Sequence, residues 1–287
     1  MSNAIALFKK YVPMLDEAYK VGALTSILDG APELAREGAN ANELIIPKMS
    51  MQGLANYDRN SGYVTGDVTL TNESVPVDYD RGRMFTIDTQ DNAETAGIAF
   101  GKLAGEFIRT KVVPEIDAYR LAKLAQTSGI GTVAAANLTT GDAVIAALRA
   151  GLNAMNEAEV PLTDRILFIT ATLYNLIKDL DNTKSRAVLE DFSSVVQVPQ
   201  TRFYTKIALT ANGAGGYTKD AVDGKNINFQ IVHKPAVIQF TKHIAPKVIT
   251  PEANQSADAW KFGYRIVGVN AAYENKVAGI YLHKATA

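Results

Sequence analysis

The chain has 287 residues, a length that suits about two domains, with 29 Lys and Arg against 30 Asp and Glu for a net charge of −1. That balance removes the basic surplus of a nucleic-acid-binding surface, and the absence of cysteine removes disulfides, thiolate metal sites and cysteine nucleophiles. No apolar run reaches the ~20 residues needed to span a bilayer.

The chain begins MSNAIALFKKYVPMLDEAYK, whose lysines follow the short apolar run, an order that argues against a signal peptide. Ile5, Phe8, Val12, Leu15 and Tyr19 form a helical stripe interrupted by Pro13, and Asp29-Gly30-Ala31-Pro32 closes it as a turn. A stripe this short needs a surface to lie on, so the segment reads as an arm docked on its own body or on a neighbour. Leu44-Ile45-Ile46 is a short strand ending at Pro47. After the polar stretch from Met51 to Gly66, Val64, Val68 and Leu70, then Val75, Val77 and Tyr79, alternate with polar residues. This is a long, polar, two-stranded excursion. A lone hairpin is marginal in water and its edges invite aggregation, so a second copy of the chain is the economical partner. A surface insertion is the other reading.

Met84 to Asp88 alternates as a strand. Asp91, with Glu94 three residues on, forms a capping-box pattern, and a single helix of ~35 residues from Asn92 to about Gln126 would span about 50 Å. Phe100, Leu103 and Phe107 make one apolar stripe, and Gly97, Gly101 and Gly105 make a second, continued by Ile108, Val112, Ile116 and Tyr119. Lys102, Glu106, Arg109 and Arg120 share a polar side, with Lys102 and Glu106 spaced for an i,i+4 pair. Each glycine costs roughly 1 kcal/mol in a helix, which close approach by another backbone would offset. Pro114 predicts a kink. The helix is either the core helix of an α+β domain or a spine across an elongated subunit.

Ser128 to Gly141 reads as a loop, Asp142 to Glu159 as a helix, Arg165 to Thr170 as a buried strand and Leu173 to Leu180 as a second helix. Short strands follow around Pro199, completing a compact α/β unit whose tip, Ala211 to Lys225, is glycine-rich and flexible. Strands between Ile227 and Ile249 and from Ala259 to His283 return to cover the long helix, which makes one domain discontinuous. No chemistry-bearing motif emerges. His233, His243 and His283 are scattered, no GxSxG occurs, and the loop from Asn212 to Gly216 lacks the Lys-Ser/Thr ending of a phosphate loop. Asp78, Asp80, Asp88, Asp91 and Glu94 read as strand edge and helix cap. No catalytic, cofactor or metal residue is expected, and the chain does not read as an enzyme.

The order of parts carries a resemblance. An arm, a long two-stranded loop, a long helix, an α/β unit and returning strands together resemble the major capsid protein of tailed double-stranded DNA bacteriophages. RGRMFTIDTQDNAETAGIAFGKLAGEFIRTKVVPEIDAYRLAKLA resembles the loop-to-spine junction in capsid proteins of phages of Gram-positive hosts, and KPAVIQFTKHIAPKVITPEANQSADAWKFGYRIVGVNAAYENKVAGIYLHK resembles their ending. The resemblance implies an α+β capsid fold with an N-terminal arm (1–32), the first part of a peripheral domain (33–42), and an extended loop (43–85). It further implies a peripheral domain with the spine helix (86–138), an axial domain (139–235) and peripheral return strands (236–287).

By the same resemblance, Asn56, Tyr57, Asp58, Arg59 and Asn60 contact another subunit, and Asn212, Gly213, Gly215, Gly216 and Tyr217 meet their copies at symmetry axes. Gly97, Gly101, Gly105, Phe100, Phe107 and Pro114 carry the packing of the spine. The implied assembly is an icosahedral capsid of pentamers and hexamers enclosing double-stranded DNA without sequence-specific binding. A separate scaffolding protein, a portal and, in some shells, a decoration protein are the implied partners, with no membrane, in a virion assembled in the host cytoplasm. Lys is missing from the centre of the loop, which carries Arg59, and Lys48 sits near its base, so no covalent cross-links are expected. An encapsulin-like compartment enclosing enzymes is the alternative reading.

Overall fold

The computed structural model describes residues 22–30, 36–37, 43–94, 98–180, 183–211 and 213–286. The arm stripe from Ile5 to Tyr19, with Ala31, Pro32, Gly97 and Asn212, lies outside the described residues, as do the side chains of Phe100 and Lys102.

β1 (Arg36–Glu37) pairs antiparallel with β2 (Glu43–Met51), which pairs along its whole length with β3 (Val68–Pro76). A two-stranded excursion is therefore present, but its strands are not the two alternating runs: Val68, Leu70 and Val75 share β3, Tyr79 lies beyond it, and the partner is β2, which runs through Pro47 instead of ending there. β1 meets only Leu44 and Ile45, so from Pro47 onward β2 is an edge strand among the described residues, where proline is tolerated. Only Val77 and Asp78 separate β3 from β4 (Tyr79–Asp88).

The long helix follows, with three corrections. α1 (Thr89–Glu94) is capped by Asp88, whose Oδ1 accepts the Gln90 amide at 2.8 Å, while Asp91 lies inside the first turn. The helix then runs as α2 (Ile98–Phe107), a π-helical turn (Ile108–Val112) and α3 (Val113–Ala125). The irregularity is that π turn, closed by the Val113 amide on the Ile108 carbonyl. Pro114 sits just after it in the first turn of α3, where the missing amide is no loss. Third, Arg120 is buried, not on a polar side: it lies 3.4 Å from Asp29 and donates to the hydroxyls of Thr25 and Thr241. Glu106 pairs with Arg109 at 2.8 Å. At Gly105 no described atom outside its own helix turns lies within 4 Å of an added Cβ, so no other described segment approaches there.

β5 (Gly131–Thr132) precedes α4 (Gly141–Glu157), whose first turn is capped by the Thr140 hydroxyl accepting the Ala143 amide at 3.3 Å. β6 (Arg165–Thr170) is buried at every position, as a central strand covered on both faces must be. α5 (Ala171–Asp179) comes next, then α6 (Thr183–Glu190), a helix that the polar run from Asp179 conceals in the sequence. β7 (Ser194–Val198), the short hairpin β8 (Ile207–Leu209) and β9 (Tyr217–Lys219), and β10 (Ile227–His233) follow. β11 (Val237–Ile249), β12 (Ala259–Ala272) and β13 (Ile280–Lys284) end the chain.

Two sheets organise the body. One has the order β11-β12-β4, with β12 and β4 paired without interruption from Ala259↔Asp88 to Gly268↔Tyr79. The other has the order β5-β13-β10-β6-β7. Not every returning strand covers the long helix beside β4: β13 crosses into the five-stranded sheet and pairs with β10. The long helix serves both sheets. Ile108, Val112 and Ile116 pack with Phe262, Tyr264 and Ile266 of β12, whereas Leu121 and Leu124 join Ile166, Phe168 and Leu282 of the five-stranded sheet. One helix in two cores is a spine, not the core helix of a single domain.

Candidate intersubunit surfaces

The hairpin β2–β3 has an apolar face that no other described residue covers. Met49 stands opposite Leu70 and Met51 opposite Val68, so period-two alternation puts all four side chains on one face. All are exposed, Met51 to 69% and Val68 to 68%. At the tip Leu54, Tyr57, Tyr63 and Val64 are exposed as well. A folded monomer rarely leaves such a contiguous apolar patch in water, and such patches mark contact surfaces.

The tip is a tight turn. The amides of Asp58 and Gly62 each bond the other's carbonyl, and Asp58 Oδ1 accepts the Asn60 amide at 2.8 Å. Gly62 takes φ +78°, a region glycine enters without strain. The Asn60 amide, followed by the Ser61 hydroxyl, holds the Asp58 carboxyl below the usual range. Tyr57 and Tyr63 meet edge to face, 4.9 Å between centroids. Asn56, Tyr57, Asp58, Arg59 and Asn60 are all exposed at this tip.

The root is held on three sides. Val75 packs with Ile238 and Val269, and Lys48 pairs with Glu274 at 2.7 Å. At the elbow the Asp78 carboxylate accepts from the Tyr119 hydroxyl and from Lys123, both on α3. Burial, then the Asp78 carboxylate, pushes the Tyr119 phenol far up, so it remains a donor.

The glycine-rich loop lies elsewhere in the fold than its sequence suggests. Gly213, Gly215 and Gly216 form the turn between β8 and β9, with φ of +64°, +68° and +83°. That turn folds back over β4. Arg81 donates to the carbonyls of Thr210 (3.0 Å) and Gly216 (3.3 Å), and Arg83 to those of Ala214 (3.3 Å) and Gly213 (2.5 Å). Arg81 also pairs with Glu115 at 2.8 Å, which raises its pKa further. Tyr217 reaches back to the Thr201 carbonyl at 3.0 Å. Between this hairpin, β4 and the long helix lies an open groove of about 1320 Å³, lined by Phe85, Leu103, Phe107, Lys111, Tyr204 and Tyr217 among others.

A buried polar junction fixes the segment before β1. Asp117, fully buried, accepts from the amides of Leu24 (3.1 Å) and Thr25 (3.0 Å), the Thr25 hydroxyl (2.7 Å) and Arg202 (3.3 Å). Burial pushes its carboxyl up against the pull of those donors. Sequence reading missed Asp117, Arg81 and Arg83, and took Asp78 for a strand edge. For the arginines a signal existed: in Arg81-Gly82-Arg83 two guanidinium groups share one strand face.

Among the described residues no group of three or more metal-ligating side chains occurs, and no helix is long and apolar enough to cross a membrane. No protein-family model and no curated protein matches the sequence. Solved structures do match. The chain aligns with a protein of Gordonia phage Cozz at 14% identity and TM-score 0.61, covering 93% of this chain and 87% of that one. It aligns with the mature capsid of bacteriophage PhiM1 at 17% identity and TM-score 0.56, covering 87% and 84%. The fold is that of the phage major capsid protein. The same capsid fold extends to a virus-like particle from Pyrococcus furiosus, matched at 13% identity and TM-score 0.61 over 96% of this chain and 99% of that one. With identities this low, the likeness speaks for the fold alone.

Proposed function

We propose that the chain is the structural subunit of an icosahedral phage shell, built from its pentamers and hexamers and enclosing double-stranded DNA. The observation that carries this is the uncovered apolar face of the β2–β3 hairpin, Met49, Met51, Val68 and Leu70, on a fold otherwise found in capsids. The hairpin needs a surface, and a second copy supplies one in every ring. A closed shell repeats such heterologous contacts until they close. Near-neutral charge is compatible, because a shell filled by a motor need not attract its DNA. The role is structural rather than enzymatic. A separate scaffold, a portal and a decoration protein are the companions of such a subunit, and the virion is its destination.

Electron microscopy with light scattering on the protein expressed alone, then with a candidate scaffold, tests this. Closed shells, tubes or stable rings support it. A monomer under both conditions overturns it. Boiled particles should release intact single chains, because the hairpin tip carries Arg59 and no lysine. The second reading is the encapsulin-like compartment for enzymes that the resemblance also implies, since a virus-like particle from Pyrococcus furiosus shares the fold. DNA inside purified particles supports the first reading and a trapped enzyme the second.

A further inference from the structure

In the chain Val77 and Asp78 link the extended hairpin to the three-stranded sheet, a two-residue elbow at the root where the hairpin's direction is set. From Met49 to Leu70 every residue but Gly62 is exposed, and among the described residues none beyond the root steers the hairpin. On one side of the elbow Val75 is fixed in a small apolar cluster. On the other, Tyr79 stacks on Tyr119 with centroids 4.6 Å apart and donates to Glu115 at 3.2 Å. Asp78, between them, is gripped by Tyr119 and Lys123 on the same helix face.

We propose that Asp78 is a positioning residue, a clasp on the spine helix that fixes the angle at which the extended hairpin leaves the subunit. This rests on the shell reading for its purpose, though not for its test. One chain filling pentamers and hexamers occupies non-identical surroundings, so the hairpin must leave at a defined yet adjustable angle. A clasp suits that need. Lys123 and Asp78 are partly exposed, and exposed pairs contribute little to folding. Releasing them therefore changes direction more than stability.

The chain has no cysteine, so Asn60→Cys at the tip and Lys111→Cys on the spine accept spin labels as the only thiols. Labelled subunits are diluted into unlabelled ones, and the distance distribution is read by pulsed electron resonance below the concentration of assembly. The unaltered elbow should give one narrow distance. Asp78→Ala should widen the distribution at least twofold with the melting temperature unchanged. Tyr119→Phe combined with Lys123→Met should reproduce it, and Asp78→Asn, which still accepts from Tyr119, should recover part of the narrowness. An equally narrow distance in Asp78→Ala, or a broad one with the elbow intact, overturns the proposal. A widening matched by a fall in melting temperature also overturns it, as a merely structural role would. Failure of the unaltered protein to form particles would sink the shell reading and leave this result standing.

Discussion

The two β-hairpins, β2–β3 and β8–β9, differ in what completes them. The short one is finished within the subunit: Arg81 and Arg83 satisfy four carbonyls of its glycine turn, and Tyr217 ties it to Thr201. Among the described residues the long one is held only at its root, and beyond Lys48 it presents side chains to water. Glycine content suggests the opposite ranking. The glycine-rich loop reads as loose and the alternating strands as rigid. What decides is the presence of partners: guanidinium groups for one turn, and for the other an apolar face with no partner among the described residues.

The largest expected effect comes from charging that face. Met51→Asp together with Val68→Asp should abolish assembly, because two carboxylates would lose water in any dry contact. Subunit stability should hardly change, since both positions are exposed. Light scattering and thermal melting on one sample check this. Wild-type assembly by the double variant would move the contact elsewhere and dissolve the contrast between the hairpins.

The second test strips the short hairpin of its partner. Arg81→Ala leaves the largely buried Glu115 carboxylate without its cation and the Thr210 carbonyl without the guanidinium, while the Gly216 carbonyl keeps the Thr210 amide at 2.9 Å. It should destabilise the subunit by about 2–3 kcal/mol. Arg81→Lys should recover only part of this, because one ammonium cannot span Glu115 and both carbonyls as the guanidinium does. Chemical denaturation measures the loss, and hydrogen exchange should rise at residues 207–219 while the tip of the long hairpin keeps its rate.

Much of this arrangement was legible beforehand. Alternation revealed an extended excursion and the strand β3 within it, though not its pairing with β2, and unbroken helical spacing revealed the spine. Physics hidden from local pattern set the rest. The helix starts at Thr89 because Asp88 is the better-placed cap. Arg120 is buried because Asp29, Thr25 and Thr241, distant in sequence, meet around it. β13 joins the five-stranded sheet, not the sheet of β4, because its register with β10 exists only in three dimensions. The exposed face was half visible: Val68 and Leu70 alternate, but only pairing with Met51 and Met49 shows the four to be one surface.

A smaller effect isolates the backbone of the short hairpin. Gly216 has φ +83° and open space where a Cβ would go, so Gly216→Ala meets conformational strain alone. It should cost about 1 kcal/mol. A loss several times larger would show that the turn tolerates no adjustment despite its four arginine bonds. No loss would show a turn that already samples other conformations, which would return it to the flexible class its composition suggests.

The smallest change in folding is expected from Arg59→Ala at the tip of the long hairpin. The side chain is exposed, and the turn beneath it is closed by Asp58, Asn60 and Gly62 without using it. The subunit should melt as before, within about 0.5 kcal/mol. Assembly should weaken, because a guanidinium at the far end of an uncovered hairpin is placed to meet acidic or carbonyl groups of another copy. The loss should shrink as salt rises, since screening already weakens such a contact in the unaltered protein. Assembly thresholds at two salt concentrations measure it. Equal losses in assembly and in melting would place Arg59 inside its own subunit's stability, and the contrast between a self-completed and a partner-completed hairpin would fail at its tip.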